Sequence, residues 1–373
     1  MIIVIFISFF EQKIMAFNYK RIVVKIGSNV LTQSNGLPDQ HRIGKLVEQI
    51  VAIKQQGVEV ILVSSGAVAA GRSLITVSDK YDAIATRQLL ASIGQVKLIN
   101  TYAQLFEQYN ILCSQVLVTT DDFKGRQHYL NMKNCLEILL QHHVVPIVNE
   151  NDVVSVTELM FTDNDELAGL IASMLNAQAL ILLTNVDGIY DGAPDLKDSS
   201  IIDEVNDTGI DFSSFVTSGR SQFGRGGMIT KSHMAQKTAG LGIAVHIANG
   251  TKDNILTDIL ENKTPHTRFV PHKTTSEKKK WLAHSEKSAT GVVQVNAGAK
   301  TALMSNKATS LLPVGVVIVL SDFEKGEIIK LVDTDNGLIG LGIAEYGADK
   351  AKEWIGQKNH KPLVHYDYLY LLG

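Results

Sequence analysis

The polar residues best suited to chemistry follow an apolar run at residues 144–148. They form two clusters, Asn149 with Asp152, and Asp163 with Asn164 and Asp165. Carboxylate and amide groups at these positions suit an ammonium group, a lysine or a hydrated cation. Asn and Asp are also ordinary turn residues, so a solvated turn is the alternative interpretation.

Two lysines beside glycine turns are candidates for contacting phosphate. Lys25 ends a β-branched run and is followed by Gly27 and Ser28, whose N–H groups can donate to anionic oxygens. Lys231 lies in the first turn of a helix predicted over residues 228–240, directly after a glycine-rich stretch. A helix N-terminus of this kind favours an anion. The alternatives are a surface lysine and a mobile linker.

Small or polar residues also follow two other predicted strands. Ser65, Gly66 and Ala67 come after residues 58–63, and Thr184 with Asn185 after residues 179–183. The spacing matches neither the Gly-x-Gly-x-x-Gly dinucleotide motif nor the Walker A phosphate loop.

Strands and helices alternate from residue 17 to about residue 260, which predicts a three-layer α/β/α domain around a mostly parallel sheet. The polar loops after successive strands would then share one edge of the sheet. A long helix is predicted over residues 82–108. One side of it should form core, namely Leu89, Ile93, Val96, Ile99, Tyr102 and Phe106.

The last third of the chain has a different pattern. Residues 261–277 are expected to be a linker, residues 278–360 a small β domain that is barrel-like, and residues 361–373 a tail. The basic run at 277–280 is expected to be a solvated face.

The bulk composition is that of an ordinary globular protein, with 373 residues, 45% hydrophobic and 20% charged. A net charge of −3 argues against strong attraction to nucleic acid or anionic membranes. Cys113 and Cys135 match no metal spacing and are expected to be buried thiols of a cytoplasmic protein. Residues 1–10 are apolar but too short to span a bilayer, and Met15 offers a second start. We interpret residues 1–16 as an extension or a start-site artefact.

The motifs at residues 24–28, 64–72, 149–152, 163–165 and 226–231 occur in an order that resembles the amino-acid kinase family. Within it, the chain is similar to two-domain bacterial kinases that act on glutamate, and its C-terminal part resembles a PUA domain. The resemblance implies ATP-dependent phosphorylation of the γ-carboxylate of L-glutamate to γ-glutamyl 5-phosphate, the first step of proline biosynthesis.

The resemblance also implies roles for individual residues. Lys25 and Lys231 would contact the transferring phosphoryl group, with Asp165 holding both. The glutamate site would comprise Ser65, Gly66, Ala67, Asn149, Asp152, Asp163 and Asn164. The ATP site would comprise Lys25, Gly27, Ser28, Thr184, Asn185, Arg225, Gly226, Gly227, Met228, Ile229, Thr230 and Lys231. Mg²⁺ would be held mainly by ATP and water. Arg225 and Asn185 depart from the commoner family residues, which are a small hydroxyl residue and Asp.

Alternative functions stay open at this point. Another kinase of the family would act on N-acetylglutamate, aspartate, carbamate or UMP, although Asn149 and Asp152 favour a substrate with a free amino group. A further alternative is an RNA-binding regulator that uses the PUA domain. The family also implies feedback inhibition by proline and a homo-oligomer (tetramer or dimer). Because an acyl phosphate hydrolyses readily, transfer to a glutamyl-phosphate reductase partner is a further hypothesis. No association with a membrane is expected.

Overall fold

The computed structural model describes residues 18–78, 80–155, 163–192, 199–206, 227–272, 276–305 and 308–372. The N-terminal extension expected at residues 1–16 lies outside these ranges. Within them, no helix is long and apolar enough to cross a membrane.

The larger part of the fold is built on an eight-stranded sheet in the order β3-β4-β2-β1-β5-β7-β8-β6. Its strands are β1 (Arg21–Ile26), β2 (Glu59–Ser64), β3 (Cys113–Val118), β4 (Val145–Glu150), β5 (Ala179–Thr184), β6 (Glu204–Val205), β7 (Ala244–Asn249) and β8 (Thr267–Phe269). The pairs from β3 to β7 are all parallel, whereas β8 runs antiparallel to β7. The segment expected to be a linker thus contains a strand of this sheet.

Helices cover both faces of the sheet. They are α1 (Ser28–Leu31), α2 (Gln40–Gln55), α3 (Ala67–Arg72), α4 (Ala83–Glu107), α5 (Asp121–Lys124), α6 (Arg126–Gln141), α7 (Asn164–Met174), α8 (Met228–Gly240) and α9 (Ile255–Leu260). Two separate apolar cores result, because successive residues of each strand point to opposite faces. The predicted three-layer α/β/α fold is confirmed.

The alternation along β1 decides where Lys25 points. Val24 and Ile26 belong to the core beneath α2, whereas Val23 belongs to the core that also contains Leu167 of α7. Lys25 has the parity of Val23, so its side chain lies on the face covered by α7.

The predicted core face of α4 is partly wrong. Leu89 and Val96 are exposed, whereas Leu90, Ala91 and Gly94 are buried. The reason is close packing on α3, because a Cβ atom at Gly94 would lie 1.8 Å from the Ala67 carbonyl oxygen. The helix therefore turns its small residues inward and leaves larger apolar ones in solvent.

A second, five-stranded sheet forms the C-terminal part, in the order β10-β9-β11-β12-β13. Its strands are β9 (Gly291–Val295), β10 (Val316–Ser321), β11 (Ile328–Val332), β12 (Leu338–Ile343) and β13 (Leu369–Leu371), accompanied by α10 (Glu277–Ala283), α11 (Ala297–Leu303) and α12 (Ala348–Glu353). It has an apolar core of its own.

The basic run on α10 is a packed contact and not the expected solvated face. Lys280 is 3% exposed and donates to Asn176 Oδ1 at 3.0 Å, and Lys278 donates to the Tyr368 hydroxyl at 2.9 Å. The reason is that Trp281 of the same helix is buried against the large domain, which draws its neighbours inward.

The two cysteines are free thiols, but they are less buried than expected. Cys113 is half-buried and Cys135 is exposed. Cys135 precedes the buried Leu136 on α6 and so lies off the inward face of that helix.

Candidate active site

The carboxyl ends of the central strands meet at one edge of the large sheet. Ile26 at the end of β1 lies opposite both Ser64 of β2 and Leu183 of β5, and Thr184 lies opposite Asn249 of β7. In the sheet, β2, β4 and β3 lie on one side of β1, and β5 and β7 lie on the other. Such a switch in strand order is where open parallel sheets bind their ligands.

Lys25 and Lys231 meet on a single buried carboxylate at this edge. Asp165, in the first turn of α7, is 0% exposed and forms an ion pair of 2.7 Å between its Oδ1 and Lys25 Nζ. Its Oδ2 accepts from Lys231 Nζ of α8. The sequence named these three residues, and the fold brings them together from three different elements.

The pKa values of Lys25, Asp165 and Lys231 depend on one another's charges. Burial would raise the pKa of Asp165, but the two ammonium groups hold it well below its usual range. Burial acts against the charge on Lys231 too, yet Asp165 and Asp163 outweigh it and raise the pKa of Lys231. For Lys25 burial is the stronger effect and lowers its pKa, while the pair with Asp165 opposes the shift.

Gly27 provides space beside Lys25 rather than a hydrogen-bond donor for a ligand. Its N–H donates to the Leu183 carbonyl at 3.2 Å, so in this structure it does not point to the site as the sequence suggested. A Cβ atom there would lie 3.2 Å from that carbonyl oxygen and 3.6 Å from Lys25 Nζ. Glycine thus leaves room beside the Lys25 ammonium. Ser28 begins α1 at the same turn.

A network of amides lies beside the ion pairs. Asn164 Nδ2 donates to Ser65 Oγ at 2.8 Å and to Asn149 Oδ1 at 3.0 Å. Asn149 Nδ2 donates in turn to Gln95 Oε1 at 3.0 Å, in the middle of α4. All of these residues except Gln95 were predicted from the sequence. Gln95 lies in no motif, and only the packing of α4 shows that it belongs to this network.

The turn that presents Ser65 requires glycine. Gly66 has φ of 109°, a left-handed conformation that side chains rarely adopt, and it is the N-cap of α3. Ala67 begins α3 and is buried against α4.

Asp163 serves as the N-cap of α7. Its Oδ1 accepts from the N–H groups of Asp165 and Glu166 at 2.9 and 3.1 Å. These bonds satisfy two of the free donors at the helix start and fix the first turn, where Asp165 lies.

Asp152 faces a residue that the sequence interpretation missed. Arg87 of α4 donates to its Oδ1 through Nε at 2.9 Å and also through Nη2. The same Nη2 reaches Glu150 Oε2 at 3.2 Å. Burial raises the pKa of Asp152, and the Arg87 guanidinium opposes that shift.

The expected nucleotide residues lie across β1 from this network. Thr184 is buried at the end of β5, and Asn185 is exposed. The carboxylate at this corner belongs to Asp187, which accepts from Asn249 Nδ2 and pairs with Lys252, both at 2.8 Å.

The start of α8 completes that side of the site. Gly227 is the N-cap, and Thr230 Oγ1 donates back to the Gly227 carbonyl at 2.9 Å. Met228 packs against the core and Ile229 is exposed. Arg225 and Gly226 lie outside the described residues.

Comparison with known proteins identifies the larger domain. The model of the amino acid kinase family matches residues 20–249, which include every element of the site. The chain belongs to the amino acid kinase family. A PUA domain model matches residues 291–366, so this amino acid kinase carries the predicted second domain.

Curated relatives of this amino acid kinase share nearly its whole length. A glutamate 5-kinase of Bacteroides thetaiotaomicron is 49% identical over 95% of this chain and 99% of its own. One of Chlorobaculum tepidum is 50% identical over 95% of this chain and 98% of its own. Among solved structures, the Giardia lamblia carbamate kinase bound to AMP-PNP covers 68% of this chain and 99% of its own, with a TM-score of 0.50 and 18% identity. That similarity concerns the fold alone.

Proposed function

We propose that the chain is a glutamate 5-kinase, which transfers the γ-phosphoryl group of ATP to the γ-carboxylate of L-glutamate. The product, γ-glutamyl 5-phosphate, begins proline biosynthesis. The observation that carries the proposal is the buried ion pairing of Asp165 with Lys25 and Lys231, directly beside the amide network. The choice of substrate is supported by curated relatives at about half identity over nearly the full length, which are glutamate 5-kinases.

The reaction requires charge neutralisation and positioning rather than a general base. A glutamate carboxylate has a pKa of about 4.3, so it is ionised at neutral pH. Its approach to the nucleotide phosphates is opposed by like charge. Lys25 and Lys231 neutralise the phosphoryl oxygens from two sides, and Asp165 keeps their ammonium groups oriented.

The amide network and Asp152 receive the amino acid. Ser65 and Asn164 bind substrate polar groups, and Asp152 accepts from the α-ammonium group. Asn149 orients Asn164 through its amide oxygen. Because this network and the lysines share one sheet edge, the γ-carboxylate is directed toward Lys25 and Lys231.

ATP lies on the other side of β1, along Thr184, Asn185 and the start of α8. The N–H groups at that helix start, with the helix dipole, favour the phosphates. No cluster of three or more metal-ligating side chains occurs in the part of the chain that the structure describes. We propose that Mg²⁺ is held mainly by ATP and water, where it would neutralise phosphate charge.

The remaining parts of the proposal concern the cell and partners. We assign the enzyme to the cytoplasm, with proline as feedback inhibitor and a glutamyl-phosphate reductase as consumer of the labile acyl phosphate. A homo-oligomer is supported by the exposed apolar residues Leu74, Leu89 and Val96 around α3 and α4. The basic run on α10 gives no support to RNA binding, because Lys278 and Lys280 are engaged within the protein.

A hydroxamate assay tests the reaction, since hydroxylamine traps an acyl phosphate. With ATP and Mg²⁺, glutamate should give hydroxamate, and added proline should lower the rate. ADP release should be far slower with N-acetylglutamate, aspartate, carbamate or UMP. Turnover of one of these without turnover of glutamate would refute the proposal.

A further inference from the structure

Arg87 brings a cation to the glutamate end of the site. Its side chain is 28% exposed, whereas Glu150 and Asp152, which it contacts, are 5% and 10% exposed. The guanidinium therefore lies at the mouth of a buried acidic pair, with one side still open to solvent.

The helix that carries Arg87 also supports the amide network. Gln95 lies eight residues later on α4, about two turns along, and holds Asn149. Gln88 donates to the Val153 carbonyl at 2.7 Å. These contacts fix Arg87 relative to the segment that follows β4. Its guanidinium thus occupies a defined position beside the amino-acid site.

Arg87 and Asp152 place a positive and a negative charge side by side, and these charges are opposite to those of the carboxylate and ammonium groups of an α-amino acid. An α-amino acid presents an ammonium and a carboxylate on one carbon. Asp152 complements the ammonium, and a guanidinium complements the carboxylate with two donors in a plane. Without substrate the Arg87 guanidinium is shared between Asp152 and Glu150. A bound zwitterion can replace the pair of Arg87 with Asp152 by two ion pairs, one to each charged group of the substrate.

We propose that Arg87 binds the α-carboxylate of the substrate and so makes the enzyme specific for amino acids with a free α-carboxylate. This inference rests on the proposed function and assigns a residue to its substrate end. Amines without the α-carboxylate, such as γ-aminobutyrate, and α-amides are then rejected, because they leave the guanidinium without its partner.

The test compares glutamate with its α-amide, isoglutamine, which keeps the ammonium and the γ-carboxylate. Wild-type kcat/KM should favour glutamate by about 10- to 100-fold, the range for a charged hydrogen-bonded contact. In Arg87→Gln that preference should fall to within a few-fold of unity, because glutamate alone loses its contact. The KM for ATP should stay unchanged.

Lys97→Gln is the matched control. It removes a positive charge from the same helix, where Lys97 donates to Ser73 Oγ at 2.7 Å. It should leave the preference for glutamate unaltered. Arg87→Lys keeps the charge without the planar fork, and should retain part of the preference.

Binding measurements keep the test decisive if Arg87→Gln has no turnover. Calorimetric titration without ATP should then show the same loss of preference between glutamate and isoglutamine. Equal losses for both ligands would overturn the role, since a residue that only positions Asp152 affects both alike. So would a wild-type enzyme that does not distinguish them. Absence of glutamate turnover in the wild type would instead overturn the proposed function, and this inference with it.

Discussion

Asp165→Asn isolates the charge that joins the two lysines. The substitution keeps the size and one carbonyl oxygen, but it leaves the ammonium groups of Lys25 and Lys231 buried together without the carboxylate that pairs with both. Their side chains are only 6% and 11% exposed, so water cannot replace the lost carboxylate.

The size of the effect follows from that burial. Removing one partner of a buried ion pair costs about 3–5 kcal/mol. If the lysines lose their orientation to the same extent in the transition state, kcat falls by about 10²- to 10⁴-fold. The KM for glutamate should change much less, because the amide network does not depend on this charge.

Asp165→Asn should lower the free energy of unfolding as well as kcat. The pH dependence of this loss shows whether the charge of Asp165 is its cause. The folded-state pKa of Asp165 lies below its unfolded value, so its contribution is present above about pH 4 and lost as the pH falls through the folded pKa. In urea unfolding, the free energy of unfolding of the wild type should therefore exceed that of Asp165→Asn by a constant amount from about pH 5 to pH 8. This difference should shrink at lower pH.

Two variants make the test specific. Asp187→Asn makes the same chemical change in an ion pair with 35% and 28% exposed partners, and it should cost at most about 1 kcal/mol. Asp165→Asn combined with Lys231→Met removes one of the two buried ammonium groups and with it their mutual repulsion, so it should be more stable than Asp165→Asn although inactive. A double variant less stable than Asp165→Asn, or a single variant with kcat within tenfold of wild type, would refute the reasoning.

Three further predictions concern other contacts. Lys25→Met and Lys231→Met should each lower kcat by about 10²- to 10³-fold in steady-state assays, and near-wild-type kcat in either would remove that lysine from the reaction. Asp152→Asn should raise the glutamate KM about tenfold or more while the ATP KM is unchanged, and equal rises in both would argue against an ammonium contact. Gly94→Ala should destabilise by about 1–3 kcal/mol in thermal unfolding, because its Cβ would overlap a carbonyl oxygen of α3. Gly44→Ala, whose Cβ meets only ordinary contacts, should be neutral or stabilising by up to about 1 kcal/mol, so equal effects of the two alanines would contradict the packing argument.

Local signals were sufficient for most elements. The helix predicted over residues 228–240 is α8, with those bounds. The alternation of strands and helices likewise predicted the layers and the shared edge.

What the sequence did not reveal depends on contacts between distant segments. Arg87 and Gln95 come to the site because α4, which crosses α3 closely, also packs beside the end of β4, and neither residue lies in a recognisable motif. The same crossing explains why Leu89 and Val96 face solvent, since helical periodicity cannot tell which of two adjacent faces meets a neighbour. The environment of α10 depends similarly on the burial of Trp281.

In the proposed mechanism, the buried pairing of both lysines with Asp165 also reduces the conformational entropy that is lost at each turnover. A free lysine side chain loses about 1.5–2 kcal/mol of rotational freedom when it is fixed in one conformation. Here folding has already fixed Lys25 and Lys231 before any nucleotide arrives. The ordering is therefore completed once per molecule rather than once per turnover, and nucleotide binding meets a site that is already organised.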